Sequence, residues 1–242
     1  MGDAVRRSGD LLRAGFGAAQ VLSQIDRDVK LAQDKRSEAA IVEFLQARSP
    51  HAILTEEAGW VSALSSPDAL YWALDPLDGS HNYACGVPLC CVSLALCRGA
   101  RPIAGCIYDF AREETIWGGA DYGLWLNDVR LDAAPPNPGN TLATGFPVGG
   151  AENAAALLEL RGEVAGYKKI RMIGSAALSL AWVARGLFDA YAENGIRWWD
   201  VAGGLALVEG AGGGIGVEGN VLSEPLKVRA DRHGVPGSGG KE

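Results

Sequence analysis

The sequence predicts an α+β protein, and three patterns carry that expectation. Between residues 91 and 126, four short apolar or alternating runs are separated by Gly, Pro and charged turns, the signature of an antiparallel meander. Beyond residue 140, helical periodicities at about 151–163, 175–187 and 200–210 alternate with short strands near 141–144, 168–172 and 188–193. Between the two blocks, AAPPNPG at 133–139 carries a Pro cluster that continues neither a helix nor a central strand. The expected division is an N-terminal lobe at 1–132 with the antiparallel sheet, a C-terminal α/β lobe at 133–230, and a Gly- and Pro-bearing tail at 231–242 expected to be disordered.

In chain order, residues 37–48 place Ala40, Ile41, Phe44 and Leu45 at helical spacing with Glu38, Glu43, Gln46 and Arg48 opposite, an amphipathic helix ended by Ser49-Pro50. A short strand at 52–54 delivers Thr55-Glu56-Glu57 to its end, and a second at 71–74 ends at Asp75-Pro76. The meander follows as runs at 91–98, 103–109, 114–117 and 123–126. No internal repeat is present.

Of the 242 residues, 48% are hydrophobic and 21% charged, enough to bury a sizeable core. The net charge of −7 offers no long-range attraction to a nucleic-acid backbone or an anionic membrane, so neither is expected as a partner. An anionic substrate would then need a local reversal of the field, most simply by a metal ion. MGDAVRRSGDLLRAGFGAAQ contains no sustained apolar core and no run of about 18 apolar residues occurs anywhere, which predicts a cytoplasmic protein. Cys85, Cys90, Cys91, Cys97 and Cys106 lack paired C-x-x-C spacing and are expected as buried, reduced thiols on strands. Gly214-Ile-Gly216-Val-Glu-Gly219 satisfies G-x-G-x-x-G, but it follows a helix and leaves too little chain for a dinucleotide-binding unit, so a turn before the last strands is expected.

Asp75-Pro76-Leu77-Asp78-Gly79-Ser80 is the most informative segment. Pro76 and Gly79 turn the chain off its strand, so the Asp75 and Asp78 carboxylates and the Leu77 carbonyl can converge on one small volume. Two close carboxylates that both stay ionised need a cation, and all-oxygen ligation suits Mg²⁺ or Mn²⁺ rather than zinc. Taken alone, the hexapeptide is equally an Asx-type turn with an exposed second Asp. Glu56-Glu57 is equally a solvated acidic turn, and Asp200, in Trp198-Trp199-Asp200 before a helix at 201–209, is equally an N-cap.

Five segments together resemble the magnesium-dependent, lithium-sensitive phosphatases of the inositol monophosphatase family: DVKLAQDKRSE at 28–38, ILTEEAG at 53–59, ALDPLDGSHNY at 73–83, IGSAALSLAWVARGLFDAY at 173–191 and ENGIRWWDVAGGLALVEGAGG at 193–213. Their order and separation match as well as their letters, over roughly residues 28–215. The resemblance implies a layered α-β-α-β-α sandwich of the inositol monophosphatase/fructose-1,6-bisphosphatase type and a homodimer. It implies that Glu56, Asp75 and the Leu77 carbonyl hold a first Mg²⁺, that Asp75, Asp78 and Asp200 hold a second, and that a third, weaker ion shares the Glu56 side. Ser80 occupies the place of a threonine in much of the family and, with Asp34, would orient and deprotonate the attacking water. Metal ions would neutralise the phosphate, lower the pKa of water and stabilise the leaving alkoxide during in-line attack. His51, His81 and His233 are the only histidines, and His81, inside the metal loop, is expected as part of the cavity wall.

For the substrate, the resemblance places Glu193 on a ring hydroxyl, with Gly174 and Ala176 lining the same pocket and Asp78, Gly79, Ser80 and Asp200 completing it. A carboxylate takes hydroxyl donors and repels extra phosphates, which favours a polyol or sugar monophosphate, with inositol monophosphate first. Glu193 has a plainer reading as a surface charge at a strand end. Bisphosphate-nucleotide and histidinol phosphate hydrolysis on the same scaffold are the alternatives, and a catalytically silent binding protein is the competing class. The family's early lysine has no clear counterpart unless Lys30 serves, and the segment after Gly219 matches poorly.

Overall fold

The computed structural model describes residues 1–25, 28–132, 140–147 and 150–232. The chain opens with helix α1 (Gly2–Ala14), whose inner face is Ala4, Val5, Ser8, Gly9 and Leu12, and continues through a hairpin of β1 (Val21–Ile25) and β2 (Asp28–Leu31). Helix α2 (Ala32–Gln46) begins five residues earlier than the apolar periodicity indicates, because Asp34 at its third position accepts the Leu31 N–H at 2.6 Å and secures a polar first turn.

The next eight strands form one sheet: β3 (Ala52–Thr55), β4 (Gly59–Trp60), β5 (Leu70–Asp78), β6 (Cys91–Arg98), β7 (Arg101–Asp109), β8 (Glu114–Gly119), β9 (Gly123–Leu126) and β10 (Val129–Leu131), in spatial order β10-β9-β8-β7-β6-β5-β3-β4. The meander β6 to β9 is antiparallel, as its alternation predicts, whereas β3 lies parallel to β5. Strand β5 does not end at Asp75-Pro76. Its register with β6 breaks between Asp75 and Asp78, a bulge that accommodates Pro76 while pairing resumes at Asp78. Helix α3 (Ser80–Ala84) follows directly.

A second sheet, β12-β11-β13-β15-β14, is built from β11 (Thr141–Ala143), β12 (Lys169–Arg171), β13 (Ala190–Ile196), β14 (Gly214–Glu218) and β15 (Leu226–Asp231). Helices α4 (Ala154–Val164), α5 (Ala176–Ala184) and α6 (Trp198–Gly210) interleave with these strands. Helices α1 and α2 cover the outer face of the eight-stranded sheet, α5 and α6 fill the space between the sheets, and α4 covers the far face of the five-stranded sheet, joined to it by Arg229–Glu163 and Asn194–Glu159. The five layers are those expected. The largest apolar core lies around α5 and α6, which are apolar on nearly every face because both sides meet a sheet.

Several local expectations are corrected. Gly214 to Glu218 is a strand rather than a turn, and Asp231 closes β15 rather than opening a tail. Cys85 is exposed just after the short helix α3, Cys90 is buried just before β6, and only Cys91, Cys97 and Cys106 are buried on strands. The Pro cluster at 133–139 and the tail from 233 lie outside the described residues. No helix among the described residues is long and apolar enough to cross a membrane.

Candidate active site

The ends of β3 and β5 and the starts of α3, α5 and α6 meet at one cavity of about 590 Å³, whose wall includes Glu56, Asp75, Leu77, Asp78, Gly79, Ser80, Gly174, Ala176, Glu193 and Asp200. Every metal and substrate residue expected from the sequence is in this set. Asp34, expected from the sequence as a catalytic residue, is not part of this wall; it is buried at the start of α2, and its Oδ1 has no hydrogen-bond partner among the described residues.

Each acidic side chain is aimed by a local device. Glu56 continues from β3, its N–H bonded to the Leu74 carbonyl at 3.2 Å. The bulge in β5 folds Asp75 back so that its Oδ1 accepts the Leu77 N–H at 3.0 Å. Asp78 Oδ2 accepts from the Ser175 hydroxyl at 2.5 Å and from the Ala177 N–H at 2.7 Å, so the start of α5 is tied to the metal loop by the loop's own carboxylate. Asp200 is the third residue of α6, not its N-cap, and its Oδ2 accepts the Arg197 N–H at 3.0 Å. The turn itself needs glycine. Gly79 has φ +86°, and a Cβ there would lie 2.8 Å from the Leu89 carbonyl oxygen.

Burial raises the carboxyls of Asp75 and Asp200 well above the usual carboxylate range, and in both Glu56 and Asp78 add repulsion. Burial lifts Asp78 to about 6, with Ser175 and the α5 amides opposing, and Asp34 to about 7, with Glu56 and Glu57 adding to the rise. Lys30 answers part of this charge. Its Nζ lies 2.7 Å from Glu56 and 2.6 Å from Glu57, and although burial lowers the ammonium's pKa, the two carboxylates hold it above its ordinary value.

The donor set is all oxygen and strongly anionic, which fits Mg²⁺ and not zinc. Among the described residues no three His, Cys, Asp or Glu side chains are grouped closely enough to hold a metal ion together. Ser80 donates its hydroxyl to the Leu77 carbonyl at 3.0 Å, and no hydrogen bond joins it to Asp34. His81 lines the same cavity beside Cys85, with Nε2 3.7 Å from the sulfur.

Sequence reasoning missed Asn82, Ser175 and Tyr191. The Asn82 amide donates to the carbonyls of Leu89 and Ile173, each at 2.8 Å, clamping α3 to the approach to α5. Asn82 stands inside the recognisable DGSHNY word, but its partners lie 7 and 91 residues away.

Comparison with solved structures defines the class. SuhB of Bartonella henselae superposes with a TM-score of 0.81 at 28% identity, covering 96% of this chain and 92% of that one. The inositol monophosphatase of Anabaena gives 0.77 at 32% identity, covering 96% and 88%. The architecture is the α+β type of inositol monophosphatases and fructose-1,6-bisphosphatases. The chain belongs to the inositol monophosphatase family, whose profile matches residues 3–226, a family of magnesium-dependent phosphomonoesterases. Curated relatives include an inositol-1-monophosphatase of Mesorhizobium japonicum, 36% identical over 88% of this chain and 82% of its own length. They also include the Nus factor SuhB of Escherichia coli, 34% identical over 87% and 80%.

The raised carboxyls set a pH dependence. Between the unfolded pKa of about 4 and folded values of 6 to 7, the native state binds more protons than the unfolded chain, so metal-free protein loses stability as pH rises. In chelator, the melting temperature is expected to fall on the order of 5–10 °C between pH 6 and pH 8, with Mg²⁺ restoring most of it at pH 8. A melting curve rising with pH in chelator contradicts this electrostatic account.

Proposed function

We propose that this protein is a Mg²⁺-dependent phosphomonoesterase acting on a small polyol or sugar monophosphate, with inositol monophosphate the first substrate. The observation that carries the reading is the sharing of one cavity by Glu56, Asp75, Asp78 and Asp200, with Glu193 in the same wall. Glu56, Asp75, the Leu77 carbonyl, Asp78 and Asp200 would hold two ions, Mg²⁺ or Mn²⁺ in its place, with a third, weaker ion sharing the Glu56 side. Bound Mg²⁺ supplies charge neutralisation of the phosphate and of the leaving oxygen, and activation of water.

The chain's own residues do the rest. Gly79 and Ser80 place backbone and hydroxyl groups at the phosphate end of the cavity. Asp34, whose carboxyl is raised to about 7, is a base matched to neutral pH, and rotation of the Ser80 hydroxyl from the Leu77 carbonyl toward water would complete its alignment. Glu193, also raised to about 7 by burial, accepts substrate hydroxyls, while Gly174 and Ala176 keep the wall low.

The test is phosphate release with and without Mg²⁺ from inositol 1-phosphate, histidinol phosphate, fructose 1,6-bisphosphate, adenosine 3′,5′-bisphosphate and glycerol 2-phosphate. Preference for inositol phosphate is expected, and Glu193→Gln is expected to lower kcat/KM for it about tenfold, mainly through KM. Preference for the nucleotide would retain the metal chemistry and discard the polyol pocket. The relatives named Nus factor favour a second reading, a binding or regulatory protein. A folded protein that releases phosphate from none of these substrates moves the assignment there. A homodimer, inhibition by lithium and a cytoplasmic location belong to the first reading, the first two checked by light scattering and by titration of the assay with LiCl.

A further inference from the structure

Glu193 does not orient itself. Tyr191 lies two residues earlier on β13, hence on the same strand face, and its hydroxyl donates to Glu193 Oε2 at 2.7 Å. From the other side the Gly145 backbone N–H donates to the same carboxylate, and the approach is so close that a Cβ on residue 145 would stand 2.0 Å from Oε1. A carboxylate has about four acceptor positions. With two taken by Tyr191 and Gly145, about two are left for the cavity that Glu193 lines.

We propose that Tyr191 is a positioning residue for substrate discrimination: its hydroxyl, acting with the Gly145 amide, holds the Glu193 carboxylate in the orientation that receives the hydroxyls of the substrate. This rests on the reading of Glu193 as the polyol acceptor. The Tyr191 ring is buried in the apolar core and does the packing; the hydroxyl bonds to Glu193. The two parts of the side chain have separate tasks, and removing the oxygen separates them. Without it, a flexible glutamate loses one of its two anchors, and the entropy of ordering the side chain falls on substrate binding.

The experiment compares Tyr191→Phe, Glu193→Gln and the double variant on inositol 1-phosphate and on phenyl phosphate, which has no hydroxyl to offer, at saturating Mg²⁺. The quantity read is the ratio of kcat/KM for the two esters. Glu193→Gln is expected to lower that ratio about tenfold, and Tyr191→Phe about three- to tenfold, through KM for inositol 1-phosphate rather than through kcat. The double variant is expected to lose no more of the ratio than Glu193→Gln, because Tyr191 acts through Glu193. Gly145→Ala, which displaces the carboxylate from the opposite side, is expected to lower the same ratio and keeps the proposal testable if Tyr191→Phe folds poorly. A ratio unchanged in Tyr191→Phe and Gly145→Ala while Glu193→Gln lowers it would overturn the positioning role alone, as would additive losses in the double variant. A ratio unchanged in Glu193→Gln overturns the polyol reading, and the positioning role with it.

Discussion

Asp75→Asn is expected to reduce Mg²⁺-dependent phosphate release at least about a thousandfold while leaving the protein folded. Asp75 is the carboxylate assigned to both ion positions, so its loss removes charge and a ligand from each, and transition-state stabilisation of this kind carries most of the rate in a metal-assisted phosphoryl transfer. Folding should survive because the carboxyl is already disfavoured as an ion: burial raises its pKa, and Glu56, Asp78 and Asp200 raise it further. An amide of the same shape keeps an oxygen for the Leu77 N–H and removes the repulsion. In chelator the variant should therefore melt no lower than the parent, whereas Mg²⁺ should raise the melting temperature of the parent and not of the variant. Near wild-type release by a folded Asp75→Asn protein would end the metal-site proposal.

Gly105→Ala is expected to be the most destabilising single methyl in the described chain, costing about 3 kcal/mol or more and exceeding what most single substitutions do. Gly105 on β7 faces Gly203 on α6, and a Cβ at residue 105 would lie 2.0 Å from the Gly203 carbonyl oxygen, which is backbone and cannot swing aside. Gly203 is itself crowded, since its own added Cβ would meet Ser93 Oγ at 2.7 Å. The pair lets α6 lie directly on the sheet, and the start of that helix delivers Asp200 to the cavity. A loss of cooperative unfolding or a drop in denaturation midpoint is the expected readout. In any variant that still folds, weaker Mg²⁺ binding is expected alongside, as α6 is pushed off the strand. A melting temperature equal to the parent's would show that the two backbones can separate without cost.

The structure shares one device between the two ends of its acidic site. Asp34 and Asp200 are each the third residue of a helix, and each accepts a hydrogen bond from the backbone N–H of its N-cap residue. That bond occupies one oxygen of each carboxylate; Asp200 also lines the cavity, whereas Asp34 is not part of its wall. Asp200 is thus not the N-cap its place in the letters suggests, but a third-position residue that bonds the N-cap N–H and also lines the cavity.

What the sequence determined by itself was the set of acidic groups and the local geometry that presents them. The letters Asp75-Pro76-Leu77-Asp78-Gly79 set two carboxylates and a carbonyl side by side, although the strand runs on through a bulge to Asp78 instead of turning at Asp75-Pro76, and the meander from β6 to β9 follows from alternation and Gly-bearing turns. Local patterns of this kind depend on covalent neighbours and are legible in one dimension. Helix α1 was not read from the letters, although Ala4, Val5 and Leu12 share its buried face with Ser8 and Gly9; the need for glycine at position 9, where a Cβ would meet the Tyr108 ring at 2.2 Å, comes from tertiary packing. Strand β14 was hidden by its glycines, and the start of α2 by its polar first turn. The tertiary structure alone decided which distant groups meet: Lys30 with Glu56, Asp78 with the start of α5 nearly 100 residues on, and Gly145 with Glu193. Those pairings are set by the stacking of two sheets around α5 and α6, and packing between layers leaves no periodic trace in the chain that it brings together.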